Sequence, residues 1–122
     1  PNDQICILVA EDNRTNQMVV GAMLKRLGYQ YEICDDGQQA LNAMDLKKYD
    51  LILMDCQMPI LDGFAATKLI RDKPDLNDLP VIALTAGATA QEQKQCYDAG
   101  MNDFLSKPIT MEILKNTLLK WH

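Results

Sequence analysis

No stretch of this 122-residue sequence approaches the roughly 18 consecutive apolar residues that a membrane-spanning helix needs, and no signal-peptide pattern opens it. Histidine occurs once, as His122, which excludes histidine-based catalysis and a histidine-rich metal site. The four cysteines (Cys6, Cys34, Cys56 and Cys96) contain no Cys-x-x-Cys pair, so neither a zinc site nor a thiol redox motif is expected. Three of them sit in apolar runs that read as strands, where a thiol behaves as a small core residue of a reduced, cytosolic protein. Positive charge is in deficit: 12 Lys and Arg against 17 Asp and Glu leave a net charge of −5. That balance argues against nucleic acid or an anionic membrane as a partner of this domain. Repeats, low-complexity segments and interdomain linkers are also missing.

What is present suits one ordinary domain, long enough to bury roughly two thirds of its unfolded surface without disulfides. Five short apolar runs, at 5–10, 31–34, 51–54, 81–84 and 103–105, alternate with segments of helical period at 14–27, 37–47, 64–71, 90–98 and 111–121. Such alternation predicts βαβ units and a parallel sheet covered by helices on both faces. The first, third and fourth runs are apolar throughout, as central strands buried on both faces must be. Asp12 or Asn13 is placed to cap the first helix, Asp36-Gly37 to turn into the second and Thr110 to cap the last, while Gly28 marks the end of the first. Pro1 is an unusual first residue, and the expectation is a single domain over 1–122 taken from a longer chain.

In an open parallel sheet, ligands bind beyond the carboxyl ends of the strands. The residues found there are Glu11 and Asp12 after the first run, Asp55 after the third, Thr85 after the fourth, and Ser106, Lys107 and Pro108 after the fifth. Three carboxylates gathered at one edge repel one another and call for a cation. Mg²⁺ fits best, being hard, oxygen-preferring and content with one or two carboxylates plus waters and a phosphate. Asp55 is then placed to attack a phosphoryl group and form an acyl phosphate. Thr85 can donate a hydrogen bond to a phosphoryl oxygen, and Lys107 can offset its charge. Each residue alone also has an ordinary explanation: acids at a helix start, turn aspartates, loop residues. Asp62-Gly63 reads as a turn before the third helix, Asp103 as a strand-end carboxylate without catalytic role, and Trp121 and the methionines as packing. The joint arrangement carries the inference.

The segments Val9-Ala10-Glu11-Asp12-Asn13, Met54-Asp55-Cys56-Gln57-Met58-Pro59-Ile60-Leu61-Asp62-Gly63, Ala83-Leu84-Thr85-Ala86 and Phe104-Leu105-Ser106-Lys107-Pro108 together resemble the receiver domains of response regulators and hybrid sensor histidine kinases. The run Glu11–Gln17 and Asp-Cys-Gln-Met-Pro look most like receivers of hybrid kinases or multistep relays. The resemblance implies a flavodoxin-like (βα)5 fold with a five-stranded parallel sheet in the order 2-1-3-4-5. It implies that Asp55 accepts a phosphoryl group from a phosphohistidine, and that Glu11, Asp12, Asp55 and the Gln57 backbone carbonyl hold Mg²⁺, with Glu11 acting through bound water. Thr85 and Phe104 would be switch residues, and Lys107 would contact the phosphate beside a cis bond to Pro108. The implied partners are a sensor histidine kinase or a histidine-phosphotransfer helix bundle docking beside the first helix, where Val20 and Leu24 either extend an apolar stripe beyond the core face or are simply buried. The implied location is cytoplasmic, including the cytoplasmic part of a membrane-anchored kinase. Phosphorylation and dephosphorylation would be self-catalysed, without a stand-alone enzyme.

Three rivals are weaker. A Mg²⁺-dependent phosphatase of the haloacid-dehalogenase type resembles Asp-x-Asp, yet Gln57 occupies the second acid's place and cannot transfer protons. A flavin module needs a phosphate loop after the first strand, where Glu11-Asp12 repels phosphate. A pseudo-receiver serving only as an interaction module would not keep all five functional side chains.

Overall fold

The computed structural model describes residues 4–87 and 89–121; Pro1 and His122 lie outside the described residues. Five strands, β1 (Cys6–Ala10), β2 (Gln30–Cys34), β3 (Leu51–Asp55), β4 (Val81–Thr85) and β5 (Asp103–Ser106), alternate with α1 (Arg14–Arg26), α2 (Gly37–Leu46), α3 (Gly63–Arg71), α4 (Ala90–Ala99) and α5 (Met111–Trp121). All pairings are parallel and the sheet order is β2-β1-β3-β4-β5, as the resemblance implied. The three strands that are apolar throughout are the three central ones, fully buried along their length, whereas edge strands β2 and β5 carry polar, exposed positions.

Period-two alternation divides the core into two layers. Ile7, Val9, Leu51, Leu53, Ile82 and Leu84 face Val20 and Leu24 of α1 and Leu114 and Leu118 of α5. Leu8, Ala10, Ile52, Met54, Val81 and Ala83 face Ala40 and Leu41 of α2, Ala66 and Ile70 of α3 and Cys96 of α4. The sheet therefore lies between two helix layers, and its strand ends are left free of helix cover. One expectation is corrected here and one open alternative is resolved. Only Cys6 and Cys34 lie within strands: Cys56 follows β3 by one residue, and Cys96 sits on α4 with its sulfur 3.8 Å from that of Cys56. Of the two readings of Val20 and Leu24 the buried one holds, since both lie against the sheet. The apolar residues that α1 does expose are Met18 and Val19.

Caps set the helix starts. Asn13, Asp36 and Asp62 accept hydrogen bonds from the backbone of Asn16, Gln39 and Ala65, and Thr110 Oγ1 accepts one from Ile113. Gly28, just past α1, has a φ of 90°, the left-handed geometry that suits glycine after a helix. Gly63 meets a different demand, close approach: a Cβ there would stand 2.2 Å from the Asp55 carbonyl oxygen. The absence of a side chain at Gly63 thus lets α3 start directly against the end of β3. Among the described residues, no helix is long and apolar enough to cross a membrane.

Candidate functional site

Parallel pairing brings the ends of β1, β3 and β5 to one edge, and the predicted residues meet there. Carboxylate oxygens of Glu11, Asp12 and Asp55 all lie within 4.8 Å of one another. Lys107 Nζ stands 2.8 Å from Glu11 Oε1 and 3.2 Å from Asp55 Oδ2. The Lys107–Pro108 peptide bond is cis, as the resemblance implied. Glu11 is fully buried and Asp55 nearly so, while Asp12 is exposed. These side chains, with Asn13, Asn16, Gln57, Ala86 and Glu92, line a cavity of about 230 Å³. Gln57 contributes its backbone N–H to Asp55 Oδ1 at 3.2 Å, which orients the carboxylate from the loop side.

The electrostatics follow from crowding. Burial, then the hydrogen bond and charge of Glu11, push the Asp55 carboxyl up to about 7. Burial also works to raise Glu11, but its hydrogen bonds to Asp55 and Lys107 and the lysine's charge outweigh it and hold Glu11 at about 2. Lys107 would be lowered by burial, yet the two carboxylates more than reverse this and keep it an ammonium. One lysine therefore faces three acids, and Asp55 holds its proton to higher pH than an ordinary carboxylate does. The donor set, hard carboxylate oxygens converging from two strand ends, suits a divalent cation of the Mg²⁺ type.

Thr85 and Phe104 are placed differently. Neither lines the cavity; Ala86 does instead. The Thr85 hydroxyl is buried without a hydrogen-bond partner, an uncommon state for a buried polar group. Phe104 is half-buried and meets the Tyr97 ring of α4 edge-to-face, with centroids 6.3 Å apart. Asp62 caps α3, and Asp103 accepts a hydrogen bond from the Trp121 indole, so neither joins the cluster.

Two contributors had not been singled out from the sequence for any role at the site. Gln17, buried on α1, donates its amide to the Glu11 carbonyl and to Asp35, fixing the backbone that carries the acidic pair. Its place one turn into α1, after the acidic pair, was the available signal. Glu92 opens onto the cavity from α4, and no local pattern marked it, since its position depends on how α4 docks.

An α/β sandwich with an acidic cluster and a lysine at the carboxyl edge of its sheet defines a metal-assisted phosphoacceptor class. The chain belongs to the response regulator receiver domain family, whose model matches residues 7–119. It is 42% identical over 115 residues to the signal transduction histidine-protein kinase BarA of Escherichia coli (strain K12), covering 94% of this chain and 12% of that protein. A solved structure of the receiver domain of sensor histidine kinase PA1611 from Pseudomonas aeruginosa PAO1 is 44% identical, with a TM-score of 0.90 and 96% of both chains covered. That structure has a magnesium ion coordinated in its active-site cleft. A further similar structure, 31% identical with a TM-score of 0.89, covers 96% of this chain and 88% of that one. It is the complex of the Saccharomyces cerevisiae histidine phosphotransfer protein Ypd1 with the receiver domain of its downstream response regulator Ssk1. The chain spans 6% to 15% of the length of the first curated relatives it matches.

Proposed function

We propose that this domain accepts a phosphoryl group on Asp55 from a phosphohistidine on a partner protein, with Mg²⁺ held by Glu11, Asp12, Asp55 and the Gln57 carbonyl. The single observation that carries this is the convergence of three carboxylates within 4.8 Å beside a lysine that contacts the buried Asp55. When bound, Mg²⁺ supplies charge neutralisation for the acids and for the incoming phosphate. The chain's own residues do the rest. An Asp55 oxygen forms the new P–O bond as the P–N bond to histidine breaks, and the imidazole keeps the electron pair. Lys107, already fixed by Glu11, neutralises charge on the transferred group. The unpartnered Thr85 hydroxyl donates to a phosphoryl oxygen, and Phe104 responds by changing its burial against Tyr97 and α4. Glu11 holds Lys107 and would help to hold the metal.

The proposed setting is a longer protein of the hybrid sensor kinase or response regulator kind, of which this is one domain on the cytoplasmic side. The partners are its histidine kinase or a histidine-phosphotransfer protein, with no nucleic acid or membrane contact by this domain. Incubation with Mg²⁺ and acetyl phosphate tests the reading by intact mass. The domain should gain one phosphoryl group, and Asp55→Asn should gain none. Equal labelling of both would overturn the assignment.

A further inference from the structure

We infer that Ile60 is an apolar docking contact for the phosphohistidine-bearing protein, held beside the acceptor aspartate in a strained turn. This deepens the proposed function and rests on it. The Leu61 N–H donates to the Pro59 carbonyl at 2.7 Å, closing a three-residue turn around Ile60, whose φ is 70°. That is a γ-turn of positive φ, the rare and strained hand. A β-branched side chain is among the least suited to it, and such a conformation persists only where its surroundings hold it. Ile60 is the only non-glycine residue of positive φ among the described residues.

The free domain offers no compensation at that side chain. Ile60 is 82% exposed and takes no part in either core layer, whereas its loop neighbours Met58 and Leu61 do pack against the core. The strain persists because the flanks fix it. The Leu61 carbonyl accepts the Gly37 N–H at 3.1 Å, and Asp62 is committed to capping α3. An apolar group displayed at conformational cost, with no partner in its own fold, is accounted for by a surface that covers it in a complex.

Position identifies that surface. The loop 56–61 runs straight on from Asp55, and its Gln57 lines the acceptor cavity. A protein bringing a phosphohistidine to Asp55 must cover the loops around the cavity mouth. In a chain that is 24% charged, the six residues Cys-Gln-Met-Pro-Ile-Leu carry no charge. Exposed Pro59 and Ile60, with half-buried Met58 and Leu61, form a neutral apolar lip beside an acidic pocket, suited to the apolar flank around a histidine on a helix.

The test compares wild type with Ile60→Asn and Ile60→Leu. Asparagine tolerates the left-handed region and removes the apolar contact; leucine keeps the contact. Acetyl phosphate with Mg²⁺ should label all three equally, and Ile60→Asn should melt at or above wild type. Transfer from a phosphorylated histidine-phosphotransfer protein, chosen because it labels the wild type, should fall about tenfold in kcat/KM for Ile60→Asn, the scale of one lost apolar contact. It should be retained within about twofold by Ile60→Leu. Unchanged transfer to Ile60→Asn overturns the inference, as does a wild-type dimer that Ile60→Asn abolishes without loss of transfer. A lower melting point for Ile60→Asn overturns the strain argument. Failure of acetyl phosphate, or of every phosphohistidine protein, to label the wild type overturns the underlying reading instead.

Discussion

Lys107 Nζ lies 3.2 Å from Asp55 Oδ2 although β4 separates the strands that carry the two residues. The lysine reaches across the sheet edge and holds the buried Glu11 carboxylate on the way. Lys107→Ala leaves that carboxylate without its cation, a loss of about 2 kcal/mol or more for a buried pair broken on one side. Urea denaturation should show the loss in metal-free protein and a smaller loss with millimolar Mg²⁺, which replaces the missing charge. An equal loss under both conditions contradicts the shared-charge account.

The Asp55 carboxyl, raised to about 7, sets a pH dependence for the metal-free domain. Its folded-state value lies above the ordinary carboxylate value of about 3.9, so its contribution to stability is complete below about pH 4 and is lost as pH rises through about 7. Mg²⁺ competes with that retained proton. The Mg²⁺-induced rise in thermal midpoint should therefore be larger at pH 8 than at pH 5. Equal rises at the two pH values argue against a proton held in the cluster.

Thr85 carries a hydroxyl that no group in the described structure satisfies. Thr85→Val should leave the unphosphorylated domain as stable as wild type or up to about 1 kcal/mol more stable. It should also remove the amide shift changes expected near Phe104 on phosphorylation. A variant that loses more than about 1 kcal/mol would show that the hydroxyl has a partner in solution.

Gly63→Ala places a methyl group 2.2 Å from the Asp55 carbonyl oxygen. Because the obstacle is backbone, the start of α3 or the end of β3 must shift, at a cost of about 1–3 kcal/mol. Stability and the rate of phosphorylation by acetyl phosphate should fall together. A loss of neither would mean that the α3 start is not held against the acceptor strand.

Much of this was legible because burial leaves a direct mark on composition. A strand covered on both faces must be apolar at every position, so Ile7–Ala10, Leu51–Met54 and Val81–Leu84 announced the sheet centre. The chemistry was legible because parallel topology sends residues just past those strands to one edge. Helix faces were less so: Met18, Val19, Val20 and Leu24 are alike in sequence, and only packing against β1 and β3 decides that the last two are buried. Glu92 enters the site through the docking of α4, and Thr85 stands at the predicted strand end with its hydroxyl buried and unpartnered rather than lining the cavity. Neither placement is encoded within a few neighbouring residues. The positive φ of Ile60 runs against its residue type, and flanking contacts from Leu61 and Asp62 impose it.

Magnesium titration followed by amide NMR tests the central claim most directly, namely that distant acids fold into a cation pocket that readies Asp55. The account predicts saturable shifts centred on Glu11, Asp12, Asp55 and Gln57, complete by millimolar Mg²⁺ and absent in Asp12→Ala. Amides at those four positions that stay unmoved at millimolar excess would contradict it.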